Sequence, residues 1–306
     1  MYFYYLRHYE SATIMYIITN DQSTKKELLS IRFGTLAHTF GCLPLKSLTS
    51  TLQNYDIDFV QLALSKAIQD IDLSPGKLSP GLASYIGEQF DKAGIRIGVL
   101  GCYINPIHPD PAIRRIEIDR FKEHLRFARQ FGAPMVATET GALTTFKEDN
   151  PNNYEEIGWD ILKETVQELA EEAEKWGVHL ALEGVCTHTL STPAKMRRIL
   201  DEVPSSCIGV ILDPCNLIGE AVEMQDEIVD ESFRLYGDRI IMAHLKDIYK
   251  EESRIYHGKA GNGLFHTDAF LAKLQECKPM IDVSLEDILV PEINETVALL
   301  KKLASL

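Results

Sequence analysis

Eight apolar runs, each followed by a segment of helical character, fill about 270 residues of this chain. The runs are IRFGTLA (31–37), FVQLAL (59–64), RIGVLGCY (96–103), PMVATETG (134–141), HLALEG (179–184), IGVILD (208–213), IIMAHL (240–245) and MIDVSL (280–285). They are near-continuous in apolar character rather than alternating. That is the pattern of parallel strands covered on both faces. Between them, helices are expected over 45–54, 82–93, 154–176, 222–236 and 266–277, with another starting at Thr192-Pro193 and a closing one from Pro291. After the third run, Ile118, Phe121, Leu125 and Ala128 share one face at three- and four-residue spacing. Eight strand–helix units predict an α/β fold of the (β/α)8 kind, a TIM barrel, in a single domain. The domain is expected over 31–306, behind an N-terminal extension of residues 1–30. That extension shows no strand–helix unit, and Met15 could be an alternative start.

The last four runs end in Glu183, Asp213, His244 and Glu286, with gaps of 30, 31 and 42 residues. Every strand of such a barrel ends on the same face, so four ligands distant in sequence converge there. A lone Glu at a strand end is ordinarily a solvated loop residue. Four successive strands ending in metal-ligand types are another matter. Three carboxylates and one imidazole make a hard, mostly oxygen donor set, suited to one Mn²⁺ or Mg²⁺, with Co²⁺ or Zn²⁺ also accommodated.

Other residues on that face are weaker candidates, as substrate-binding groups. Glu139 ends the fourth strand, and His108 lies in the turn after the third. Lys246 follows His244 in H-x-K-D, where it could bind a substrate oxygen or pair with Asp247. His38, His188 and His257 lie on loops at the same end. Residues 257–263, HGKAGNG, lack the spacing of a phosphate loop.

LALEG, LDPCN, HLKD and VSLED, in that order at strands five to eight, resemble the xylose isomerase-like barrel superfamily. More closely they resemble its sugar phosphate isomerase/epimerase branch, over about residues 31–306. The resemblance implies that Glu183, Asp213, His244 and Glu286 hold one divalent metal. It also implies that Glu183 and Glu286 flank the substrate as acid and base. Such an enzyme isomerises or epimerises a small ketose, sugar phosphate or related polyol ketone through an enediolate. A divalent ion stabilises the charge that develops, and one carboxylate takes the proton while the other returns it. The same residues could serve a keto-inositol dehydratase. The sequence departs from the family at D-x-x-H, where Asn216 stands in D-P-C-N. An amide can hydrogen-bond a substrate hydroxyl but is a poor metal ligand. This speaks against a close match to the ketose 3-epimerases and weakens the alternative of a three-metal, endonuclease IV-like phosphodiesterase.

Composition bears on partners. The net charge of −14, with no basic run, argues against a nucleic-acid surface. No apolar run approaches the ~20 residues that span a bilayer, and residues 12–18 lack a basic flank and cleavage site. No membrane association is expected. None of the six cysteines forms a C-x-x-C pair, which fits buried thiols in the cytoplasm. Homo-oligomerisation is left open.

Overall fold

The computed structural model describes residues 30–304 apart from Ser253. The expected extension therefore lies almost wholly outside the described residues. Eight parallel strands close into a barrel: β1 (Arg32–Leu36), β2 (Phe59–Leu62), β3 (Arg96–Gly101), β4 (Met135–Glu139), β5 (His179–Glu183), β6 (Ile208–Leu212), β7 (Ile240–Leu245) and β10 (Asp282–Leu285). Neighbours in sequence are neighbours in the barrel, and β10 closes it by pairing with both β7 and β1. The strands are shorter than the apolar runs, because the last residues of FVQLAL and RIGVLGCY turn into the loops above the barrel.

The principal helices are α1 (Leu45–Leu52), α3 (Pro80–Lys92), α4 (Pro111–Phe131), α5 (Tyr154–Trp176), α6 (Pro193–Glu202), α8 (Gln225–Tyr236), α9 (Thr267–Cys277) and α10 (Ile293–Leu303), with the single turns α2 (Leu64–Ala67) and α7 (Pro214–Ile218) between them. Ser79, Asp110 and Thr192 each cap a helix whose first residue is proline. The side chain takes an otherwise orphan N–H, and the ring presets φ where its own N–H is not needed. Helices α4 and α5 stop at Gly132 and Gly177, both left-handed, with φ of 79° and 61°.

Two apolar layers result. The larger lies between strands and helices. The smaller fills the barrel with Phe59, Val99, Met135, Ala137, Ala181, Ile211 and Met242. The Phe59 ring needs glycine on both sides. A Cβ at Gly34 or Gly98 would come within 2.7 or 2.6 Å of it. Side chains alternate across a strand, so the residue two beyond each inward apolar one also points inward. Two beyond Ala181 is Glu183, two beyond Ile211 is Asp213, and two beyond Met242 is His244. The polar layer is thus the next tier of the barrel interior, set by the two-residue period.

The segment 247–266, expected as a long loop, instead holds an antiparallel hairpin, β8 (Asp247–Glu251) with β9 (Arg254–Gly258). Tyr249 and Tyr256 stack across it with ring centroids 5.6 Å apart. The glycine-bearing turn beyond it wraps the buried carboxylate of Asp247. Asp247 Oδ2 accepts the N–H groups of Gly261, Asn262 and Gly263, and Oδ1 those of Ile248 and Phe265. Gly263 is required by this approach, since a Cβ there would lie 2.3 Å from Asp247 Oδ1.

Candidate metal centre

Ligand atoms of Glu183, Asp213, His244 and Glu286 all lie within 4.8 Å of one another. His244 Nδ1 is their focus, 3.2 Å from Glu286 Oε1, 3.3 Å from Glu183 Oε1 and 3.9 Å from Asp213 Oδ2. Asp213, Glu183 and His244 are buried and Glu286 nearly so. Each donor is aimed by something local. Asp213 caps α7: its Oδ1 accepts the Asn216 N–H at 2.9 Å, leaving Oδ2 for the centre. Glu183 Oε1 accepts the Asn216 side-chain amide at 2.7 Å. Glu286 follows β10 and precedes Asp287, whose φ of 48° turns the chain sharply away. Asp tolerates this left-handed conformation better than most residues.

Lys246 is a member of the cluster. Its Nζ lies 2.8 Å from Glu286 Oε2 and 2.9 Å from Asp213 Oδ2. The contact with Asp213 lacks hydrogen-bond geometry, so Oδ2 has a charge beside it but no directional donor. The sequence allowed Lys246 to pair with Asp247. It does not, because the Asp247 carboxylate is consumed by backbone N–H groups.

Electrostatics follow from this crowding. Burial by itself raises Glu183, and it stays raised despite the neighbouring His244. Burial would also raise Glu286, but His244 and Lys246 outweigh it and hold the carboxyl at about 2. Burial would lower His244, yet Glu286 and Glu183 lift it to about 9. The Lys246 ammonium is likewise raised, Asp213 and Glu286 overcoming its burial. Three carboxylates facing one ammonium leave two negative charges, which one divalent ion with a neutral imidazole would cancel. The residues present therefore fit a dication, and the cluster can hold one.

The remaining expected residues are placed as follows. Glu139 pairs in register with Glu183 across β4 and β5, and its Oε2 lies 3.4 Å from His188 Nδ1. His257 Nδ1 lies 4.0 Å from Asp287 Oδ2 beside the cluster. His108 is turned toward its own helix start, where Nδ1 accepts the Asp110 N–H at 3.1 Å. Asn216 touches Glu183 through its amide nitrogen, a donor that cannot bind a cation at that atom.

Sequence reasoning missed Gln61 and Tyr103. Gln61 Oε1 lies 3.0 Å from His244 Nε2, and its Nε2 donates to the Tyr103 hydroxyl at 2.6 Å. A signal was available: Gln61 is the one polar residue in FVQLAL, two beyond the inward Phe59.

The profile of the family described as xylose isomerase-like TIM barrel matches residues 16–303. The chain belongs to the xylose isomerase-like TIM barrel family. The match opens inside the segment read as an extension. No curated protein matches. Among solved structures, this xylose isomerase-like barrel is similar to a D-tagatose 3-epimerase-like protein, at 19% identity and a TM-score of 0.72, covering 90% of this chain and 97% of the other. It is also similar to 3-keto-D-glucoside 4-epimerase from E. coli, at 15% and 0.70, covering 89% and 100%. A third is a xylose isomerase-like TIM barrel protein from Mycobacterium smegmatis in complex with magnesium, at 15% and 0.67, covering 91% and 98%. At these identities the likeness is one of fold. No helix among the described residues is long and apolar enough to cross a membrane.

Proposed function

We propose that this protein is a divalent-metal-dependent isomerase or epimerase of a small ketose, sugar phosphate or related polyol ketone. The observation that carries this reading is the convergence of Glu183, Asp213, His244 and Glu286, with donor atoms within 4.8 Å, at the mouth of the barrel. Similar structures named as a tagatose 3-epimerase-like protein and a keto-glucoside 4-epimerase support the substrate class. The magnesium complex supports Mg²⁺ as one candidate ion. The free cysteines support a reducing, cytoplasmic setting.

A bound dication supplies electrophilic polarisation of a substrate carbonyl, which acidifies the neighbouring C–H. The chain's own residues do the rest. Glu183 and Glu286 reach the centre from strands that lie on either side of Asp213 and His244. One takes the proton and the other returns it to the opposite face of the same carbon, or to the next carbon. Lys246 stays protonated beside Glu286 and offers an N–H to a substrate oxygen as negative charge develops there. Glu139 and His188 sit at the rim, where sugar hydroxyls would meet them. A dehydratase would use the same groups with loss of a β-hydroxyl. A three-metal phosphodiesterase is disfavoured by Asn216, whose amide nitrogen is turned toward Glu183.

The test is exchange of deuterium from solvent into a panel of ketoses and ketose phosphates with Mn²⁺ or Mg²⁺ present, alongside metal analysis. Expected are metal-dependent exchange, about one ion per chain, and loss of that ion in Asp213→Ala. Equal metal content in wild type and Asp213→Ala would remove the basis of the reading.

Ion binding should also be linked to pH. In the ion-free protein His244 holds a proton up to about 9, and an ion at Nδ1 must displace it. Binding between pH 7 and 8 is therefore expected to release about one proton and to tighten roughly tenfold per pH unit, levelling off near the folded-state value. The sign for ion-free stability is opposite. The raised His244 stabilises the fold fully below its unfolded value, near 6.5, and that contribution is lost as pH rises through about 9. Mg²⁺ titration calorimetry in two buffers of different ionisation enthalpy measures the proton count. A count of zero at pH 7 would contradict the assignment.

A further inference from the structure

We propose that Gln61 is a positioning residue for the metal centre: it fixes the proton of His244 on Nε2 and so keeps the Nδ1 lone pair for the ion. The inference rests on the metal-centre reading above and extends it inward by two side chains. Gln61 is buried, with 1% of its surface exposed, in the middle of an otherwise apolar strand. Burying an amide there costs free energy unless both of its ends are satisfied. Both are. Oε1 faces His244 Nε2 at 3.0 Å, and the amide nitrogen donates to the Tyr103 hydroxyl at 2.6 Å.

The polarity of this chain is not arbitrary. A neutral imidazole has one N–H and one lone pair, and only the lone pair can bind a cation. His244 Nδ1 points at three carboxylates, so Nδ1 is the ligand atom and Nε2 must carry the proton. An amide oxygen accepts that proton. An amide reversed end for end would present N–H to Nε2, draw the lone pair to the wrong side of the ring and place a proton against the ion. Second partners of this kind fix both the tautomer and the orientation of metal-bound histidines. The same polarity has a consequence at the far end. The Tyr103 hydroxyl spends an oxygen lone pair on Gln61, so its own proton remains to be donated elsewhere. Tyr103 stands close enough to Glu286, Glu183 and Glu139 that all three raise its phenol, after burial, the largest cause. Tyr103 is thus a donor set at the inner edge of the site, oriented through Gln61.

Titration calorimetry with Mn²⁺ on full-length variants tests this. Gln61→Met keeps the volume but removes the acceptor, and is expected to weaken Mn²⁺ binding by about 10–100-fold. Gln61→Glu keeps an acceptor for the Nε2 proton, and is expected to bind Mn²⁺ at least as tightly as wild type. That rescue separates positioning from mere packing, because both substitutions alter the same buried site. The ¹⁵N spectrum of histidine-labelled wild type loaded with Mg²⁺, with His244 assigned by comparison with His244→Ala, should show Nε2 protonated. Mn²⁺ affinity in Gln61→Met within twofold of wild type would overturn the proposal. So would a Gln61→Glu variant as weak as Gln61→Met, or an unprotonated Nε2. Failure of wild type itself to bind Mn²⁺ would instead sink the metal-centre reading, and this inference with it.

Discussion

Glu183→Gln and Glu286→Gln are each expected to cut turnover by about 10²–10⁴-fold, the usual contribution of general acid–base catalysis, while leaving ion binding weakened but measurable. Gln keeps a neutral oxygen that can face an ion but cannot accept a proton at neutral pH. The two losses should not add in the double variant, because a proton path missing one end is already broken. The local surroundings make the comparison informative. Glu286 is held ionised by His244 and Lys246, against the effect of burial, whereas burial raises Glu183. Glu286→Gln also strips Lys246 of one of its two near carboxylates, leaving Asp213 at 2.9 Å. Its effect on ion affinity should therefore differ from that of Glu183→Gln. The measurement is turnover, together with Mn²⁺ content, on whichever ketose exchanges deuterium. Near-full turnover in Glu183→Gln would show that this residue serves as ligand only.

Asp247→Ala is expected to destabilise the fold by about 3 kcal/mol or more, since it strands several buried backbone donors at once. For a domain of this size that corresponds to a fall in Tm of roughly 6–10 °C. Asp247 is completely buried, and its two oxygens gather N–H groups from residues 248, 261, 262, 263 and 265. Asp247→Asn retains one acceptor oxygen and should fall between wild type and Ala. Limited proteolysis should then cut first within 259–263, where the released turn lies. Unchanged melting of Asp247→Ala would mean that the turn holds itself by other contacts.

How far the chain could be read without coordinates depended on which signal each residue carries. Glu183, Asp213, His244 and Glu286 were legible because strand ends of one barrel face one way, and because charged side chains at the ends of apolar runs stand out. Gln61 was not, since polar groups were sought at run ends and this one sits inside a run; the two-residue alternation from Phe59 would have found it. Lys246 was seen, with a substrate oxygen or Asp247 as its alternatives, but its pairing with Glu286 and Asp213 was not. Its neighbour Asp247 looks like a counterion in sequence, whereas in space it anchors a turn 14–16 residues further on. The hairpin of β8 and β9 escaped because its strands, DIYKE and RIYHG, are short and rich in polar residues, with no continuous apolar run to mark them. His108 was read from its position in the turn, and its contact with the Asp110 N–H at the helix start was not foreseen.

The closure of the barrel bears on the order in which the site comes into being. Strand β10 joins β7 to β1, and Glu286 follows it directly. A nascent chain that has emerged only as far as β7 can already bring together three donors. It still has an open sheet edge on each side and lacks the fourth donor. Strand β10, the last of the barrel in chain order, therefore seals the hydrogen-bond ring and would complete the candidate ion site in the same event. An ion held by these four residues would tie β10 to β5, β6 and β7, and by mass action its binding free energy would be added to the stability of the closed form.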